Sequence, residues 1–138
     1  MKDRILGLDL GDKYIGIAIS DLLSITAQGV TTLKRKTLIE DFNEIMKLVD
    51  EYNIKKIVIG LPKNMNGTIG KQGNKAVNFG NYLSKRIDCE VVLWDERLST
   101  KIAENILIEA NIRRDRRKNV IDKLAAQNIL QSYMDSII

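Results

Sequence analysis

The stretch Ile5-Leu6-Gly7-Leu8-Asp9-Leu10-Gly11-Asp12-Lys13-Tyr14-Ile15-Gly16-Ile17-Ala18-Ile19-Ser20 decides the fold. Two short, partly β-branched apolar runs flank a Gly11-Asp12-Lys13 turn, which predicts a β-hairpin rather than a helix. Side chains alternate across a strand, so Leu6, Leu8 and Leu10 take one face and Ile5, Gly7 and Asp9 the other. Asp9 is the anomaly. An ionised carboxylate in an apolar strand is costly unless a cation or several donors compensate it. A second reading stands beside that one, in which Asp9 bonds turn amides near Gly11.

Outward from the hairpin, Ile25 to Leu33 predicts a third strand closed by Lys34, Arg35 and Lys36. Helical spacing of Leu38, Phe42, Ile45, Val49 and Tyr52 predicts a helix, with Thr37 and Glu40 forming a capping box. Lys56 to Leu61 reads as a strand covered on both faces and stopped by Pro62, the only proline. A loop rich in Asn and Gly runs from Lys63 to Gly70. Its Gly70-Lys71 pair is not a phosphate-binding P-loop, because the required first glycine falls on Met65 and the required hydroxyl residue on Gln72. A second helix follows over about Gln72 to Ile87, then a strand from Glu90 to Trp94, with Asp95, Glu96 and Arg97 at its carboxyl end. Ligands bind at that end in open α/β sheets. Ser99 can cap a third helix, Arg113 to Asn119 reads as a basic linker, and a last helix spans about Val120 to Met134. The expectation is an α/β fold in βββαβαβαα order, a mixed five-stranded sheet with helices on both faces, in one domain over residues 1–138.

Composition narrows the chemistry. The 138 residues are 44% hydrophobic and 29% charged, enough for a sizeable core. There is no histidine, which removes Ser-His-Asp and Cys-His nucleophiles and the usual zinc sites together. The single cysteine, Cys89, reads as a small buried thiol. A membrane-spanning run and a signal-peptide pattern are both missing, so a cytoplasmic protein without a membrane partner is expected. A net charge of +4 permits an anionic partner.

Asp122 is a second anomaly. Ala125, Ala126, Ile129 and Tyr133 share its helical face, so it either points toward the sheet or serves the helix N-terminal dipole as a first-turn acid. If Asp9, the acids after the Glu90 to Trp94 strand and Asp122 converge, their mutual repulsion requires a cation between them. Magnesium or manganese suits an all-oxygen site. Two such ions about 3.5–4 Å apart suit in-line displacement at phosphorus. Arg113, Arg114, Arg116, Arg117 and Lys118 precede Asp122 and Lys13 follows Asp9, placing positive charge where a phosphodiester backbone would release counterions. A solvated charged loop is the other reading of that run. Few aromatics are available for stacking, so backbone or structure recognition is expected.

Four ordered motifs then resemble the YqgF (RuvX) family across nearly the whole chain. They are Gly7-Leu8-Asp9-Leu10-Gly11-Asp12-Lys13 with Ile15-Gly16-Ile17-Ala18; Gly60-Leu61-Pro62 with Asn64-Met65-Asn66-Gly67; Asp95-Glu96-Arg97-Leu98-Ser99-Thr100; and Ile121-Asp122-Lys123-Leu124-Ala125-Ala126 with Ile129-Leu130-Gln131. The resemblance implies a small nuclease with the RNase H-like fold of Holliday-junction resolvases. It also implies a role in maturing the 5′ end of the small-subunit ribosomal RNA precursor, with junction resolution as the alternative. By motif position it carries catalytic, metal-binding roles to Asp9, Glu96 and Asp122. Asp9 would bridge the ions, Glu96 would hold the water-activating one and Asp122 would complete the site. Arg97 joins Lys13 and the Arg113 to Lys118 run as expected nucleic-acid contacts. Tyr14 departs from the family, which often has a basic residue there. Expected partners are precursor rRNA before branched DNA, with ribosome-associated factors as candidates. Two rivals differ in class: a nucleotide-binding fold of the actin, Hsp70 and sugar-kinase type, which needs two halves where this chain has one, and a non-catalytic RNA-binding module.

Overall fold

The structure is a computed structural model that describes residues 3–23, 25–64, 66–95 and 114–137, with the side chains of 114–123 outside that description. Its strands are β1 (Arg4–Leu10), β2 (Tyr14–Ser20), β3 (Ala27–Lys34), β4 (Ile54–Leu61) and β5 (Glu90–Asp95). The helices are α1 (Leu38–Glu51), α2 (Lys71–Ser84) and α3 (Arg114–Ser136). The strands form one sheet in the order β3-β2-β1-β4-β5. The predicted hairpin is there: β1 and β2 pair antiparallel, with Asp9 opposite Gly16 and Leu10 opposite Ile15. β3 continues the meander antiparallel, whereas β4 joins β1, and β5 joins β4, in parallel. The sheet is therefore mixed, and the carboxyl ends of β1, β3, β4 and β5 share one edge.

Alternation sorts the two faces. Leu6 and Leu8 of β1, with Ile57 and Ile59 of β4, pack against Ile45 and Val49 of α1 and Ala76, Phe79 and Leu83 of α2. On the other face Ala18 and Val58 meet Ala126, Ile129, Leu130, Tyr133 and Met134 of α3. Right-handed crossovers account for α1 and α2 lying together. From Ile57 to Leu61 β4 is buried on both sides, as the continuous apolar run there requires.

Helix α1 begins where the capping residues predict. Thr37 is extended and its hydroxyl accepts from the Glu40 N–H at 3.2 Å. It ends through Asn53, whose φ of 53° is the left-handed turn that asparagine tolerates best among non-glycine residues. Helix α3 departs from expectation. It begins at Arg114, so Arg114, Arg116, Arg117 and Lys118 occupy helical turns rather than a linker. Arginine and lysine are strong helix formers and no glycine or proline interrupts them. The expected helix after Ser99 lies outside the described residues.

Candidate active site

Asp9 stands near the carboxyl end of the central strand, half-buried. Its neighbours Leu8 and Leu10 both belong to the α1/α2 core, so Asp9 is directed to the α3 face. Gly7, two residues earlier on that face, lets the helix come close. A Cβ there would stand 2.8 Å from Leu130 Cβ and 3.2 Å from the Ala126 carbonyl oxygen. Farther along, Tyr133 accepts a hydrogen bond from Lys56 at 2.8 Å, and Lys56 pairs with Ile5. α3 thus runs opposite to β1, and its earlier turns lie toward Asp9. Position 122 is one turn before Ala126 on that side.

More polar contacts fix α3 on the sheet. The Gln131 side chain accepts from Ala27 N–H at 2.8 Å and donates to the Ile25 carbonyl at 3.0 Å. Trp94 donates from Nε1 to Ser132 Oγ at 3.1 Å and lies edge-on to Tyr133, with centroids 5.4 Å apart. Lys56 has its pKa raised, first by the Tyr133 hydroxyl and further by Glu90, against the opposing effect of burial.

β5 brings a second acid to the edge. Asp95 is its last residue, opposite Leu61 at the end of β4, and Lys63 lies 3.9 Å from its carboxylate. Trp94 faces α3, so alternation turns Asp95 to the other face. Glu96 follows directly in the chain and, with Arg97 and Arg113, lies outside the described residues. Arg114, Arg116, Arg117, Lys118 and Asp122 are placed by the α3 backbone alone. Among the described residues no three acidic or cysteine side chains cluster closely enough to hold a metal ion. The donors that the edge can offer are carboxylate oxygens, which fit a hard cation and exclude a thiolate or imidazole site.

Lys13 sits exposed in the β1–β2 turn, and its carbonyl accepts from Arg35 N–H at 2.8 Å. That bond draws the exposed Lys34 and Lys36, together with Arg35, to the end of the sheet where Asp9 lies. As a sequence pattern these three basic residues only closed a strand. The available signal was strand direction: in a meander, β3 must end beside the β1–β2 turn. Cys89 donates to the Ile54 carbonyl at 3.3 Å and burial pushes its thiol pKa up, in keeping with a structural role.

A family model described as RuvX, Holliday junction resolvase, matches residues 3–136. A protein of Caldanaerobacter subterraneus subsp. tengcongensis, named as a candidate pre-16S rRNA nuclease, is 56% identical over 134 residues, 96% of each chain. One from Clostridium novyi with the same name is 50% identical over 134 residues, 97% of this chain and 99% of its own. Thermus thermophilus RuvC in complex with a Holliday junction substrate aligns with a TM-score of 0.61 at 10% identity, over 98% of this chain and 95% of that one. Fowlpox virus resolvase with its junction DNA gives 0.59 at 17% identity, over 98% and 99% of the two chains. At such identity the structural likeness concerns the fold, and it is the RNase H-like fold of the resolvases. Sequence carries the kinship: the chain belongs to the RuvX Holliday junction resolvase family.

Proposed function

We propose that this protein, through one domain over residues 1–138, is a metal-dependent endonuclease for structured nucleic acid, and that its substrate is the 5′ end of precursor 16S rRNA. The observation that supports this most is Asp9: a half-buried carboxylate on the central strand, directed to the face covered by α3, with position 122 on the turn of α3 that lies toward it. In this reading Asp9, Glu96 and Asp122 hold magnesium or manganese. When bound, a pair of such ions supplies an activated water and neutralises charge on the leaving oxygen. Pairing of Asp9 with Gly16 of β2, one residue beyond the Leu8–Ile59 pair on the β4 side, holds its backbone, so its part needs no large rearrangement. Lys13, Arg97 and the Arg113 to Lys118 run bind phosphates flanking the cut, positioning the backbone without reading its sequence.

The test is cleavage of a precursor 16S rRNA fragment and of a four-way DNA junction, with magnesium, manganese or chelator, by wild type and Asp9→Asn. Metal-dependent cutting of the RNA that Asp9→Asn loses is the expected outcome. Equal cutting by the variant would overturn the carboxylate-metal reading. The family description and the resolvase fold favour a second reading, junction resolution, which preferential cutting of the DNA would select. RNA binding without cleavage would instead select an assembly module, with ribosome-associated factors as its partners.

A further inference from the structure

Beside the β1–β2 turn, but on the α1/α2 face, a cleft of about 410 Å³ opens. Leu38, Phe79 and Tyr82 give it an apolar floor, and Asp12, Arg35, Lys75 and Asn78 form its rim. That volume falls within the range of small-ligand sites. Its walls are held in place. Arg35 reaches Asp41 through Nε at 3.5 Å, donates to the Gly11 carbonyl at 3.2 Å and lies over the Phe79 ring at 5.9 Å. The Arg86 guanidinium stacks 3.7 Å from the Tyr82 ring centroid, and Phe42 meets that ring edge-on.

The polar rim keeps unused capacity. Lys75 and Gln72 both bond the same oxygen of Asp12, Oδ1, at 3.1 and 3.0 Å. Asp12 Oδ2 has no hydrogen-bond donor among the described residues. Neither has the exposed Asn78 amide a hydrogen-bond partner there, although such an amide pairs a donor with an acceptor in the spacing of a base edge. The exposed Lys13, Lys34 and Lys36 are chain neighbours of the rim residues Asp12 and Arg35.

We propose that this cleft takes one unpaired nucleotide of the substrate strand. The base lies on the Leu38, Phe79 and Tyr82 floor, its edge meets the Asn78 amide, and its phosphate faces Arg35 and Lys75. Asp12 is three residues from Asp9, at most about 10 Å along the backbone. A strand leaving the Asp9 edge therefore reaches the cleft by crossing the turn over Lys13. The identity of the ligand rests on the nuclease reading; the cleft as a single-strand subsite does not require cleavage.

The experiment is fluorescence anisotropy in chelator, with a fluorescein-labelled single-stranded RNA dodecamer and the blunt duplex of the same sequence. Asn78→Trp fills the cleft from an exposed helix position, and Lys75→Ala removes a surface ammonium. Asn78→Trp should weaken single-strand binding by about tenfold, the scale of losing one stacked base. Lys75→Ala should weaken it about threefold to tenfold by loss of a phosphate contact, and both should leave duplex binding within about twofold. Wild-type single-strand affinity in either folded variant would overturn the proposal, as would equal losses on both probes. If thermal melting shows Asn78→Trp to be unfolded, Lys75→Ala decides alone. Wild type that binds the single strand but cuts nothing would sink the nuclease reading and leave the subsite standing.

Discussion

Gly7 is where the central strand and α3 touch. The atoms a methyl group would meet, Leu130 Cβ and the Ala126 carbonyl, are backbone or next to it and cannot swing aside. Gly7→Ala should therefore cost about 1–3 kcal/mol by overpacking, read as a lower urea midpoint, and the displaced helix should lower cleavage as well. Lys56 supplies a pH dependence. Its folded-state pKa lies above the ordinary value of 10.5, so its contribution is complete below about pH 10.5 and is lost as pH rises through the raised value. Urea unfolding of wild type and Lys56→Met should show a stability difference at neutral pH that shrinks at strongly alkaline pH; a difference that grew there would contradict the assignment.

Between β3 and α1 the chain turns around one buried acid. Asp41 is 3% exposed, accepts from Lys36 N–H at 3.0 Å and faces Arg35 at 3.5 Å. Asp41→Ala leaves the Lys36 N–H without its acceptor and Arg35 without its ion pair, and a loss of about 2–3 kcal/mol is expected from bonds to a charged acceptor, again measured by urea unfolding. The α1 cap was legible because Thr37 and Glu40 interact within one turn. The basic run at the start of α3 was not, because a row of like charges is equally compatible with a solvated loop, and the helix is set by propensity together with docking farther down at Ala126 and Leu130. Asp9 declared itself by polarity in an apolar strand, and its face followed from counting by two. The cleft gave no such sign. Leu38, Phe79 and Asp12 come from three separate elements, and each has an ordinary role where it stands in the chain.

Across the molecule, Lys13, Lys34, Arg35 and Lys36 gather at the end of the sheet where β1, β3, β4 and β5 finish, beside the carboxylates of the acidic edge. Binding to nucleic acid should accordingly weaken steeply with salt, and the double substitution Lys13→Ala with Lys36→Ala should flatten the slope of log affinity against log salt by about 2, one for each lost phosphate contact. An unchanged slope would show that these lysines do not touch the backbone. The two faces of the sheet also differ in how they are joined. α1 and α2 are held largely by aliphatic packing, whereas α3 adds Gln131, Tyr133 and Ser132 as polar anchors. One of those anchors grips the only indole in the chain. Trp94 precedes Asp95 and rests on Ser132 and Tyr133, so intrinsic fluorescence reports from one place: the seam between the last helix and the acidic edge. The protein thus carries its own optical gauge, and titration with an ion or a nucleic acid can be followed at that seam without attaching a dye.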